Sequence, residues 1–335
     1  MNVIIFKINL ILLLFFLQIS FCGTAQTISK YEVCDAIAKV SETKIEKIVL
    51  RKFIRNNQTF YLCVDPNTLF SKIYESDKLT IAEQKWSEIK EHFKTSAYIK
   101  ALQNAELQCY TIQDAGIKHI IRCQNGLVLT VDLCPSRNSI RKSLFTLTVN
   151  QFKTGDVAVP VAISLSGKWM VEHKTELEWL KSLVAKNDLK ITWINHSYNH
   201  RTSAKLPLSK NFLLEKGTDI NFEVLETEKC MIENDLTPSI FFRFPGLVSD
   251  KDVFLKITGF GLIPIGSDAW LAKDQYPQPG SIILVHGNGN EPMGVRKYFH
   301  LIKLDKNFKS EKLKLIDLQD AMVEEQKCDE KNMGF

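Results

Sequence analysis

From Ile117 onward, apolar strand-like runs alternate with helix-like runs, and this alternation restricts the fold more than any other feature. Residues 126–132, 157–165, 189–194, 239–244, 262–266, 281–285 and 313–318 are short apolar stretches of strand character. Between them, residues running through Glu176, Trp179, Leu180 and Leu183, then 221–236, 251–258 and 295–302, carry apolar positions at helical spacing. Repeated alternation of strand and helix predicts a parallel sheet with helical cover. About seven such strands over about 200 residues favour a barrel over an open sheet.

Polar residues stand at the ends of these strands: Asp132, His196 with His200, Arg243, Asp268 and His286. In α/β folds the carboxyl ends of parallel strands hold the chemistry. The run Asn195-His196-Ser197-Tyr198-Asn199-His200 places two imidazoles four residues apart. On a helical turn such a pair shares one face and can hold a divalent cation. Taken singly, each of these residues reads more simply as a capping, surface or satisfied buried group. Their order at successive strand ends is what points to a site.

The ordered series resembles the polysaccharide deacetylases of the NodB-homology type, carbohydrate esterase family 4, over roughly residues 124–319. The residues that carry the resemblance are Thr130-Val131-Asp132-Leu133-Cys134-Pro135, the histidine pair in His196-Ser197-Tyr198-Asn199-His200, Arg243-Phe244-Pro245-Gly246, Ser267-Asp268-Ala269-Trp270, and Pro279-Gly280 followed by Leu284-Val285-His286. The resemblance implies a distorted (β/α) barrel of the NodB-homology type. It implies hydrolysis of acetamido groups on N-acetylated amino-sugar polymers. It implies Asp132 as general base, His196 and His200 as metal ligands, and Arg243 steadying the base. It further implies His286 as general acid, tuned by Asp268. A divalent metal follows, with zinc the leading ion and an N-acetylated glycan as substrate partner. The chain departs from the family at Leu133, where a second metal-ligating Asp is expected. Three outcomes follow: waters complete the shell, Cys134 supplies a thiolate, or no metal binds. The rival to a working hydrolase is a carbohydrate-binding relative without catalysis, or a hydrolase of another amide or ester.

The fold class expected is therefore α/β, a distorted barrel at residues 116–325, preceded by a smaller α+β accessory domain at 26–115 and followed by a tail at 326–335. Within the accessory region, residues 31–40 have helical spacing, 47–64 alternate as strands about an Asn56-Asn57 turn, and 81–107 form a charged amphipathic helix. Residues 1–25 read as a signal peptide: Lys7, an apolar run at 8–17, then Gly23-Thr24-Ala25 before Gln26. Export predicts a secreted or periplasmic protein with no membrane anchor after cleavage. It makes disulfides plausible among Cys34, Cys63, Cys109, Cys123, Cys134, Cys230 and Cys328, with the first four expected to staple the amino-terminal region. The net charge of +5, from 43 basic against 38 acidic residues, is spread along the chain and gives no case for nucleic-acid binding. Nothing in the sequence bears on oligomeric state. Amino-terminal sequencing of the exported chain is expected to begin at Gln26, and a mature protein that still starts at Met1 would contradict the cleavage reading.

Overall fold

The computed structural model describes residues 27–109, 112–120, 126–304 and 313–332, the last with side chains to Glu325. The segment read as a signal peptide lies outside the described residues. No helix among the described residues is long and apolar enough to cross a membrane.

The chain opens with β1 (Ile28–Val40), β2 (Glu46–Arg55), β3 (Gln58–Val64), β4 (Ser71–Glu75) and β5 (Leu79–Glu83). They form one antiparallel sheet in the order β4-β3-β2-β1-β5. The β2–β3 turn is Asn56-Asn57, both with positive φ, 51° and 63°, as a tight hairpin of this hand requires. The edge strands β4 and β5 are joined only by Ser76–Lys78. Five flat strands would hold their edges about 19 Å apart, whereas the four Cα steps from Glu75 to Leu79 reach at most about 14 Å. The sheet therefore curls on itself. Ala36, Ala38, Val49, Cys63 and Leu79 fill one side of it.

The stretch expected as a helix at 31–40 is strand β1. Its register against β2 shifts between Ser29 and Glu32 and again between Val33 and Ala36. These irregularities break the strict period of two and leave an apolar spacing that mimics a helix. The next stretch is not one helix. It begins as β5, then becomes α1 (Trp86–His92) and α2 (Ala97–Glu106), the latter capped by Ser96 accepting from Ile99 N.

The second sheet is parallel throughout. It is built from β6 (Gly126–Leu133), α3 (Lys142–Phe152), β7 (Val159–Leu165), α4 (Gly167–Glu172), α5 (Lys174–Ala185), β8 (Leu189–Asn195), α6 (Ile220–Glu233), β9 (Phe241–Phe242), α7 (Lys251–Gly259), β10 (Ile263–Pro264), β11 (Ala269–Trp270), β12 (Ile282–His286), α8 (Pro292–Leu304), β13 (Lys314–Leu315) and α9 (Leu318–Asn332). The strand order is β10-β9-β8-β7-β6-β12-β11, with β13 beside β6. No ladder among the described residues joins β10 to β11. Residues 112–120 cross there instead, with Ile117 bridging Ile265 and His119 bridging Ser281. The molecule is thus mixed α/β, an incomplete parallel barrel beside a separate antiparallel sheet.

Alternation along the strands sorts side chains into two layers. Leu127, Leu129, Val131 and Leu133 face outward and pack with Ile163, Leu165, Trp169 and Val285 under the helices. Val128, Ala162, Ile194 and Ile282 face inward, in a core that also takes Ile37, Ile48, Leu50 and α2. The antiparallel sheet therefore shares its outer-face core with the inside of the barrel.

A buried ion pair ties the two sheets together. Arg51 on β2 meets Glu228 on α6 through Nε–Oε2 at 2.7 Å and Nη2–Oε1 at 3.0 Å, each side chain 1 % exposed. Arg51 Nη1 also donates to the carbonyls of Leu50 and Phe260, both at 2.8 Å, and Tyr31 OH donates to Glu228 Oε2 at 2.9 Å.

The disulfides expected in this region do not form. Cys34, Cys63 and Cys109 are buried free thiols, and Cys123 lies outside the described residues. Cys34 and Cys63 stand on β1 and β3 with β2 between them, about 10 Å apart by strand spacing, beyond the reach of a disulfide.

Replacing Arg51 by Met leaves the Glu228 carboxylate buried without its partner. The expected cost is about 3–5 kcal/mol in urea denaturation, recovered in large part by the double substitution Arg51→Met/Glu228→Leu. A single-variant loss under about 1 kcal/mol would contradict the assignment of this pair as the tie.

Candidate functional site

The site lies where β6, β7, β8, β9 and β12 end together, and the parallel ladders fix the level of each residue. His286 is in register with Asp132, and Asp132 with Ser164. Asn195 is in register with Phe242, so His196 and Arg243 each follow one residue later. Asp132, Ser164, His196 and Arg243 are all buried. Of the residues expected from sequence, Asp132, His196, His200, Arg243 and His286 come together here.

The two histidines do not share a helical turn. They stand on the loop leaving β8, and Ser197 and His200 have left-handed backbones, φ 61° and 45°, a costly geometry for residues with a Cβ. The rings meet edge to face at 4.7 Å between centroids. His196 Nδ1 donates to the Arg243 carbonyl at 2.8 Å, which fixes the ring with Nε2 turned toward Cys134 and Asp132. That Nε2 is 3.5 Å from Cys134 Sγ and 3.7 Å from Asp132 Oδ2.

Leu133 takes no part in the site. Its side chain is in the outer core, because the residue after an inward Asp132 points outward. The next residue, Cys134, turns back in. Cys134, His196 and His200 offer ligand atoms that all lie within 4.8 Å of one another. Two donors about 2.3 and 2.1 Å from a common tetrahedral centre stand about 3.6 Å apart, which the Cys134–His196 separation matches. His200 Nε2 is buried and has no protein partner. A thiolate and two imidazoles thus fit a divalent cation and could hold one.

Around these donors lie further buried polar atoms without a protein partner: Asp132 Oδ1, Ser164 Oγ, Arg243 Nε and Nη1, and Asn288 Oδ1. Buried polar groups are rarely left so, and here they cluster about the three donors. Arg243 Nη2 donates to Thr130 Oγ1 at 2.8 Å, and Asn288 Nδ2 donates to the Cys134 carbonyl at 2.5 Å.

Electrostatics assign the charges. Burial alone would raise the Asp132 carboxyl, but the Arg243 guanidinium, with His196 and His286, holds it below its ordinary value. Burial would likewise raise the Cys134 thiol. His200, His286 and His196 outweigh that and hold it well below its usual range, as a thiolate. Burial would lower His286, yet Cys134, Glu291 and Asp132 keep it well above an ordinary histidine.

Asp268 is not beside His286. It leads into β11, whose Ala269 pairs with Ile283, so it sits level with Ile282, four residues before His286 and about 13 Å along the strand. There Asp268 accepts from Ile282 N at 3.1 Å and from Ser281 Oγ at 3.1 Å, and holds His119 Nδ1 at 2.6 Å. The carboxylate on His286 is Glu291, whose Oε2 is 2.8 Å from Nδ1 and accepts from Trp270 Nε1 at 2.7 Å. Sequence reasoning missed Glu291, although an acid just before Pro292 at a helix start five residues after His286 is a legible signal. Ser164 was also missed; its signal was an inward polar residue in an apolar strand. Asn288 gave no sequence signal.

A family model described as the RP012 protein N-terminal domain matches residues 37–99, which run from β1 into α2. Among solved structures, the chain is similar to a family 4 carbohydrate esterase from Bacillus anthracis, at 15% identity over 68% of this chain and 92% of that one, with a TM-score of 0.47. It is similar to Bacillus subtilis PdaA, a family 4 carbohydrate esterase, at 13% identity over 73% and 92%, TM-score 0.44. It is also similar to a mutant, with restored enzymatic activity, of a family 4 pseudoenzyme, at 16% identity over 79% and 87%, TM-score 0.42. These likenesses are weak, and the chemistry rests on this chain's own side chains.

In the metal-free protein, an NMR titration of the His286 imidazole is expected to place its pKa above 6.5. Since the folded value exceeds the unfolded one, protonation of His286 contributes stability that is complete below about pH 6.5 and is lost as pH rises through the folded value. Glu291→Gln is expected to lower the titration and Asp268→Asn to leave it in place; the reverse pattern would restore Asp268 to the role.

Proposed function

We propose that the chain is an exported hydrolase that removes acetyl groups from N-acetylated amino-sugar polymers, aided by a divalent metal. The observation that carries the reading is the convergence, at one end of the barrel strands, of three side chains able to hold a metal with a buried carboxylate and an imidazole. The donors are Cys134, His196 and His200; the carboxylate is Asp132 and the imidazole His286. The amino-sugar substrate is supported by the ordered motif resemblance, and export by the signal-like residues 1–25.

A cation held by those donors would supply a Lewis acid that polarises the acetamide carbonyl and makes water more acidic. Zinc suits a mixed thiolate and imidazole set. Asp132, kept ionised by Arg243, takes a proton from the attacking water. His286, held on Nδ1 by Glu291, gives the proton that lets the amine leave. Trp270, bonded to the same Glu291 oxygen, fixes that carboxylate. Arg243 Nε and Nη1 and Ser164 Oγ keep spare hydrogen-bonding capacity for water and substrate.

Leu133 had favoured a carbohydrate-binding relative without catalysis. Its side chain lies among outer-core residues, and in this reading Cys134 takes the place of the missing carboxylate donor.

Purified mature protein supplied with Zn²⁺ or Co²⁺ is expected to release acetate from N-acetylglucosamine oligomers or peptidoglycan fragments. Asp132→Asn should lower the rate by about 10²–10⁴-fold. Absence of acetate release with every metal, at rates indistinguishable from Asp132→Asn, would sink the proposal.

A further inference from the structure

The loop that carries both histidines is gripped from two sides. On one side the first N–H groups of α4 close onto it: Gly167 N donates to the Ser197 carbonyl at 3.1 Å and Lys168 N to the Tyr198 carbonyl at 3.0 Å. The approach is so close that a Cβ on Gly167 would stand 2.0 Å from the Tyr198 ring. On the other side is α6. Its Val224 carbonyl accepts from Asn195 Nδ2 at 2.9 Å, just before His196. Its Glu223 accepts from Asn199 twice, Oε2 from the backbone N and Oε1 from Nδ2, both at 2.7 Å, just before His200.

Glu223 is a buried carboxylate, 2 % exposed, without an ion pair among the described residues. A buried acid needs a reason, and here both oxygens are spent on the one residue that precedes a metal donor. The loop needs such a hold. Ser197 and His200 are in left-handed conformations, and His200 N is bonded only back to Ser197 Oγ at 3.2 Å. Without an outside grip, the chain from Ser197 to His200 would relax toward unstrained backbone and carry the His200 ring away from Cys134.

We propose that Glu223 is the positioning residue of the histidine pair, holding His200 at the metal site through Asn199. The inference rests on the metal reading given above. It assigns Glu223 a role in metal retention, with no contact to substrate.

The test compares wild type, Glu223→Leu, and the double variant Glu223→Gln/Asn199→Asp. Leucine keeps the volume and removes both acceptors. The double variant exchanges which side chain donates while leaving an acceptor for the Asn199-position N–H, so both bonds can re-form. Zn²⁺ affinity, measured by competition with a chromophoric chelator, is expected to weaken by about 10–100-fold in Glu223→Leu and to return to within about threefold of wild type in the double variant. In the metal-free proteins, hydrogen exchange at the Asn199 and His200 amides should be about tenfold faster in Glu223→Leu than in wild type, while α3 and α8 stay protected. Unchanged affinity and exchange in Glu223→Leu, or a loss that the double variant does not recover, would overturn the proposal. Wild type that binds neither Zn²⁺ nor Co²⁺ would overturn the metal reading, and the exchange comparison would still decide whether Glu223 holds the loop.

Discussion

The hydrogen-bond register of the parallel strands β7, β6 and β12 is what the rest of the site depends on. It puts His286, Asp132 and Ser164 at one height. Because side chains alternate along a strand, it also decides that Asp132 looks inward, Leu133 outward and Cys134 inward again. A slip of one residue in β6 would bury Asp132 under the outer helices and place Leu133 among the histidines. The continuous burial of β6 on both faces makes such a slip costly, since it would exchange an apolar outer layer for a charge.

Within that frame the charges support one another. A thiolate and a carboxylate, both buried, sit among Arg243 and three imidazoles, where each would be costly alone. Burial opposes the charged form of all of them, yet Asp132 and Cys134 stay below their ordinary values and His286 above its own. The Cys134 sulfur would change the character of a cation centre held there. A carboxylate donor favours harder cations, whereas a thiolate with two imidazoles favours zinc and its softer neighbours. The antiparallel sheet enters the same account through α6. Arg51 grips Glu228, and one and a half turns earlier Glu223 grips Asn199. One helix thus connects the docking of the amino-terminal sheet to the histidine loop.

Much of this was legible in the sequence. The barrel strands and their helices follow from apolar period and length, and strands β6, β7, β8 and β12 stand where their patterns put them. The Asp132, His196, His200, Arg243 and His286 positions follow from their place after those runs. What failed did so for physical reasons. Strand β1 carries two register irregularities, so its apolar residues fall at helix-like intervals. Asp268 was placed at the end of the strand read at 262–266, but β10 is only two residues long, and Asp268 belongs to the approach to β11. Glu291 acts from the start of a helix, where its register to His286 is set by the turn between them and by no periodic pattern. Leu133 was read as the loss of a ligand because the motif position was followed without asking which face it takes; the alternation that turns Leu133 outward brings Cys134 inward.

The central claim is a cation centre built from Cys134, His196 and His200. The most direct measurement is the electronic absorption of the Co²⁺-loaded protein, with the bound metal counted in parallel. The account predicts about one cobalt per chain, tetrahedral visible bands, and a near-ultraviolet sulfur-to-cobalt transition that disappears in Cys134→Ser. Retention of that transition in Cys134→Ser, or a wild-type protein that holds no cobalt, would contradict it.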